Sequence, residues 1–187
     1  MKKLCVSLFA IVFFSCLSAD KKNLKPTIEL NPKVSVKISR TYISGKAPVK
    51  NSSEEIRLMM ETLVDSVLKK DLSVLLNFIF REKGIYLDLK GLWTYEELIQ
   101  EMSLKDSYFT IFFFDTEKLK THKKSDDVHT VRDLLILSGG LDLDLFFESP
   151  HSCEIKIRFV SGNKLERDLN NPYFIQEGGK WYIYRLF

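Results

Sequence analysis

The last third of the chain restricts the fold more than any other stretch. "LDLDLFF" (141–147) and "EIKIRFV" (154–160) alternate apolar and polar residues, the period expected of strands with one face buried and the other toward water. "YFIQE-GG-KWYIYRLF" carries the same pattern on both sides of Gly178 and Gly179. Two consecutive residues that tolerate positive φ make the tight turn whose twist matches the flanking strands, so a hairpin is predicted there. "KLERDL" (164–169), after the turn "SGN", reads as a further strand. A sheet of this kind has one apolar face to cover.

The cover is expected from upstream. Ser52 and Glu55 have the spacing of a capping box, in which each side chain satisfies an orphan backbone N–H, so a helix is predicted to start there. Ile56, Met60, Leu63, Val64, Val67 and Leu68 then recur at three- and four-residue intervals and form one apolar stripe. Asp71 is placed to cap a shorter helix through "LSVLLNFIF" (72–80). Gly84 ends the helical run and "IYLDL" (85–89) follows as a strand. Thr94 and Glu97 repeat the capping-box spacing and predict a third helix over about 95–102. "YFTIFFF" (108–114) is apolar on both faces and reads as a central strand. The charged stretch 115–129 leads to a short helix over 131–138, stopped by Gly139 and Gly140. Helices first and strands later predict an α+β domain over 52–187, with N-terminal helices packed on a curved, cone-like, mainly antiparallel C-terminal sheet.

The first residues follow a different logic. Lys2 and Lys3 precede an apolar run that ends at Phe14, and Ser15, Ser18 and Ala19 cluster behind it. That is the layout of an export signal, here residues 1–15. Spanning a bilayer takes about 20 apolar residues, and Asp20, Lys21 and Lys22 arrive too early. Residues 16–51 read as a tether, with Pro26, Pro32, Pro48 and Gly45 spaced among polar residues. Within it "VSVKI" (34–38) alternates and is expected to add itself as an edge strand. Over residues 16–50, eight basic groups face only Asp20 and Glu29, whereas residues 51–187 hold 18 basic and 23 acidic groups. A basic segment is attracted to anionic headgroups at about 1 kcal/mol per Lys or Arg, or it simply keeps a spacer soluble. A negative folded part is a poor match for nucleic acid, whose partners cluster positive charge. Of three cysteines, Cys5 leaves with the signal and Cys153 has no internal partner if Cys16 is modified.

Candidate chemistry is sparse. Tyr86 and Asp88 fall on one face of the "IYLDL" strand and can share a pocket; as candidates they compete with the simpler reading of a strand's solvent side. Glu148, His151 and Cys153 crowd into "FESPHSCE", but Pro150 marks a turn and the segment reads as a surface loop entering a strand. His122, Asp126, Asp127 and His129 have no recognised metal-ligand spacing, so no metal site is expected. Phosphate loops, paired Cys-x-x-Cys motifs and nucleophile elbows are missing, so no cofactor is expected either. On the last strand, alternation puts Trp181, Ile183 and Phe187 on one face and Tyr182, Tyr184 and Leu186 on the other. Tyr182 and Tyr184 are the candidates for ligand binding, because tyrosine joins apolar area to a hydroxyl.

Two resemblances sharpen these expectations. "FFSC", ending at Cys16, resembles the lipobox of bacterial lipoproteins in its relaxed, spirochaete-like form, with Ser15 just before the cysteine and Phe13 where leucine is usual. The resemblance implies that the Cys16 thiol receives a diacylglycerol and that Cys16 becomes the first residue; acyl chains of the palmitate kind then hold it to a membrane. One chain anchors only marginally and two anchor stably. The competing reading is plain secretion after cleavage at Ala19, with Leu17 in place of the usual small residue. Leu17, where an inner-membrane retention signal has Asp, favours the outer membrane. The element order, closing on Gly179, Trp181 and Ile183 as "G-x-W-x-I", is similar over about 53–187 to the nuclear transport factor 2-like superfamily of cone-shaped α+β domains. Its enzymes, such as ketosteroid isomerases, place an Asp base and a Tyr or acid donor inside the cone, but Tyr86 and Asp88 match no such motif residue by residue. Together the two resemble spirochaete envelope lipoproteins, which implies display at the envelope of a domain that binds a protein, a glycan or a small apolar ligand. The alternatives are a small pocket enzyme of the isomerase or hydrolase kind, and a structural lipoprotein that assembles through a sheet edge.

Overall fold

Alternation in the sequence becomes two-sidedness in a seven-stranded sheet. The computed structural model describes residues 32–88 and 91–187, with Asp88 by its backbone alone. In chain order the elements are β1 (Val36–Ile43), α1 (Ser52–Leu68), a 3₁₀ segment (Ser73–Phe78), β2 (Ile85–Asp88), β3 (Gly91–Trp93), α2 (Tyr95–Ser103), a π-helical turn (Thr110–Phe114), α3 (Thr116–Lys123), α4 (Val131–Leu137), β4 (Leu141–Ser149), β5 (Ser152–Phe159), a 3₁₀ turn (Leu165–Asp168), β6 (Tyr173–Glu177) and β7 (Lys180–Arg185). The expected signal segment, Cys16 and the first part of the expected tether lie outside the described residues.

The spatial order is β1-β4-β5-β6-β7-β2-β3. Strands β4 to β7 form the expected antiparallel meander, closed by the hairpin whose Gly178 and Gly179 both have positive φ. The sheet as a whole is mixed, because β1 pairs parallel with β4 and β2 parallel with β7. Both added strands come from upstream of the meander, and parallel neighbours need a crossover that local patterning does not reveal. β1 lies at an edge, as "VSVKI" led us to expect, but runs to Ile43.

Helix α1 buries the predicted stripe: Ile56, Met60, Leu63 and Val64 are wholly inaccessible, each contributing about 1.5–3 kcal/mol relative to exposure. The stripe packs in one core with Leu143, Leu145, Phe147, Ile155, Phe174, Trp181 and Ile183 from the sheet. Arg132 of α4 donates from Nε to the Leu68 carbonyl at 3.1 Å, satisfying an orphan acceptor at the end of α1.

Local expectations fared unevenly. The Thr94–Glu97 capping box forms in full and starts α2. The Ser52–Glu55 box does not: Asn51 caps α1 with positive φ, Glu55 points to solvent, and the Ser52 hydroxyl turns back to the Val49 carbonyl at 2.7 Å. Asp71 accepts from the Ser73 N–H at 2.9 Å, but the segment that follows is 3₁₀ rather than α-helical and Leu72 stands at its N-cap. "YFTIFFF" is helical, not a strand. Tyr108 stacks on Phe112 at 4.6 Å and Phe109 meets Phe113 at 5.3 Å, both four-residue spacings, and the Asp115 N–H reaches the Thr110 carbonyl across a π-turn. An apolar run of seven residues fits either element, and here aromatic pairing with the core chose the helix. "KLERDL" holds a 3₁₀ turn instead of a strand. Helix α3 inside the charged stretch was not expected; Asp115 caps it by accepting from the Lys118 N–H.

Candidate functional site

The sequence candidates are scattered by the fold. Tyr86 projects from β2 on the sheet face away from α1 and packs its ring edge-on against Tyr184 of β7 at 5.3 Å. Burial, and then Tyr86, raise the Tyr184 hydroxyl above the usual phenol range. Asp88 follows in β2, and its side chain lies outside the described set. Tyr86 lines neither the groove between β3 and α2 nor the one beside α4. Tyr182 lies between Phe80 (ring centroids 5.2 Å) and the Lys180 ammonium (5.2 Å from the ring centre), so both tyrosine candidates are half-buried in contacts of their own. Trp181 and Ile183 face the core, as alternation requires; Leu186, assigned to the Tyr face, is fully buried beyond the end of β7.

Cys153 points into the core, and burial pushes its thiol up to about 12. His151 is exposed on the β4–β5 turn, with Nδ1 3.0 Å from Gln176 Oε1. The two do not form a thiolate–imidazolium pair: the Cys153 side chain is fully buried in the core, whereas His151 lies on the exposed turn with its ring engaged by Gln176. Glu148 accepts instead from the Tyr173 hydroxyl at 2.7 Å. His122 sits on α3 with its ring against Phe112, whereas His129 lies beside α4, and no metal-binding group of His, Cys, Asp or Glu occurs among the described residues.

One groove arises where no candidate was named. It encloses about 550 Å³ between β3 and α2, lined by Leu92, Trp93, Glu97, Gln100, Glu101 and Leu104 among others. Its position follows from two local devices. Gly84 at φ +67° lets the chain pass under the Trp93 carbonyl, where a Cβ would come within 2.1 Å of the oxygen. The Thr94 cap then turns the chain directly from β3 into α2. Glu97 accepts from the Thr94 N–H and hydroxyl through Oε2, which holds its carboxyl below the usual range. Glu101 accepts the Tyr108 N–H through Oε1. Neither carboxylate is in an ion pair among the described residues; Arg81 is engaged by Glu96 instead. Leu92 and Leu104, at 49% and 55% exposure, form apolar rims.

A second groove beside α4 holds His129 and Asp133. Burial pushes Asp133 upward, but hydrogen bonds from the Thr116 and Thr130 hydroxyls and the Thr130 N–H, with His129 nearby, outweigh it and leave the carboxyl below its usual range. That carboxylate is occupied with capping α4 and tying α3 to it. No family model, no curated protein and no solved structure matches the chain.

Proposed function

We propose that this chain is a lipid-anchored cell-envelope protein that presents a soluble α+β binding domain and catalyses no reaction. The order of features over residues 2–16 carries the reading: two lysines, an apolar run too short to span, then Ser15 and Cys16. Among the described residues no helix is long and apolar enough to cross a membrane; in this reading acyl chains on Cys16 make the attachment. Two chains at about 0.8 kcal/mol per buried CH₂ make desorption negligible, and the lysines of residues 21–50 add attraction to anionic headgroups. The outer membrane is the destination that Leu17 favours. The domain itself is read as a cone of the nuclear transport factor 2-like kind, supported by α1 and α2 preceding a meander that closes on Gly179, Trp181 and Ile183. Partners are a protein, a glycan or a small apolar ligand, and not nucleic acid.

Palmitate labelling tests the anchor. The native chain takes up label and is recovered with membranes; Cys16→Ala takes up none and is released. Label retained by Cys16→Ala, or a native amino terminus at Met1, refutes the reading.

A further inference from the structure

We propose that the groove between β3 and α2 docks an extended segment of a partner protein that carries basic and apolar side chains two residues apart. This deepens the binding-domain reading and is independent of the acyl anchor. β3 ends the sheet, and its far edge has no strand partner among the described residues. Free backbone N–H and C=O groups at such an edge accept an added strand, and alternate side chains of that strand face the groove.

The lining selects what those side chains are. Trp93 contributes an indole, the aromatic surface that best attracts a cation lying over it. Glu97 and Glu101 bring two carboxylates whose charge no cation neutralises among the described residues, and no Lys or Arg lines the groove. A guanidinium or ammonium therefore finds both a π face and counter-charge, while Leu92 and Leu104 take up apolar neighbours. An acidic segment would meet repulsion from both glutamates. The opposite edge lacks these features: β1 is interrupted by a bulge at Ser39 and carries Lys37 and Arg40, devices that discourage strand addition.

The chain holds two tryptophans, and Trp181 is buried in the core. With ¹⁵N-labelled tryptophan in the full chain, one indole signal reports the groove and the other serves as an internal control. The probe is a heptapeptide with leucine at its first and fifth positions, arginine at its third and seventh, and serine between. It is expected to shift the Trp93 indole saturably and leave Trp181 still. A glutamate-for-arginine peptide shifts neither. Glu97→Gln combined with Glu101→Gln keeps both hydrogen-bond acceptors and weakens binding about tenfold, with the Trp181 signal unchanged. Cys16→Ala binds the probe as the native chain does, so failure of the anchor and failure of the groove are read separately. The proposal is overturned by a Trp93 signal unmoved at millimolar arginine peptide, by equal shifts with the glutamate peptide, by undiminished binding to the double variant, or by a Trp93 shift that follows protein concentration without peptide, as a second copy would cause.

Discussion

On the core side of the sheet Leu141, Leu143, Leu145 and Phe147 share one cluster with the α1 stripe and exclude water; on the other side the same strand presents Asp142, Asp144 and Phe146. The core side is held by burial. The open side is held by pairing: Arg158 bridges Asp144 at 2.9 Å, Arg185 bridges Glu154 at 2.6 Å, and Tyr42 stacks on Phe146 at 4.6 Å. Asp144 is only 5% exposed although no helix covers it, because its cationic neighbours do. The difference teaches that one side is sensitive to the loss of a charged partner and the other to changes of volume or polarity.

The largest test of that contrast sets adjacent residues against each other. Trp181→Ala empties the core beside Phe147 and costs about 3–5 kcal/mol, whereas Tyr182→Ala on the open side costs about 1 kcal/mol; equal losses in chemical denaturation break the comparison. Arg158→Met strands the nearly buried Asp144 and costs about 1–3 kcal/mol, most of it recovered by adding Asp144→Leu. No recovery in the double variant means that the open side is held by something besides pairing. Thr94→Ala removes a formed cap and costs about 1 kcal/mol, while Glu55→Ala leaves the unfolding midpoint where it was, because its box is not made. The smallest effect is a pH slope. Asp133 titrates below its unfolded value of about 3.9, so its contribution is complete above that pH and is lost as pH falls through the lower folded value. Asp133→Asn flattens the acid limb of the stability profile; an unchanged limb removes the carboxylate from that account.

Legibility followed the range of the interactions. The α1 stripe, the Thr94 cap and the Gly178–Gly179 hairpin depend on residues within a few positions of one another, and all three are found in place. Ser52 and Glu55 have the same spacing as Thr94 and Glu97, yet Ser52 is buried and spends its hydroxyl on Val49. Tyr108 to Phe114 shows the same limit from the apolar side: hydrophobicity without period leaves the element to its neighbours. The groove was still less legible, since Trp93 acquires its setting from Gly84 and α2 together.

Residue order alone therefore dictated which segments alternate, which carry a helical stripe and which positions turn, since each is a matter of backbone geometry over one or two turns of chain. Whether β1 and β2 join the meander in parallel, whether seven aromatic-rich residues coil or extend, and where two glutamates and an indole line one groove were decided by packing between distant segments. Those choices rest on burial shared among residues far apart in the chain, a quantity that exists only after the chain has closed on itself.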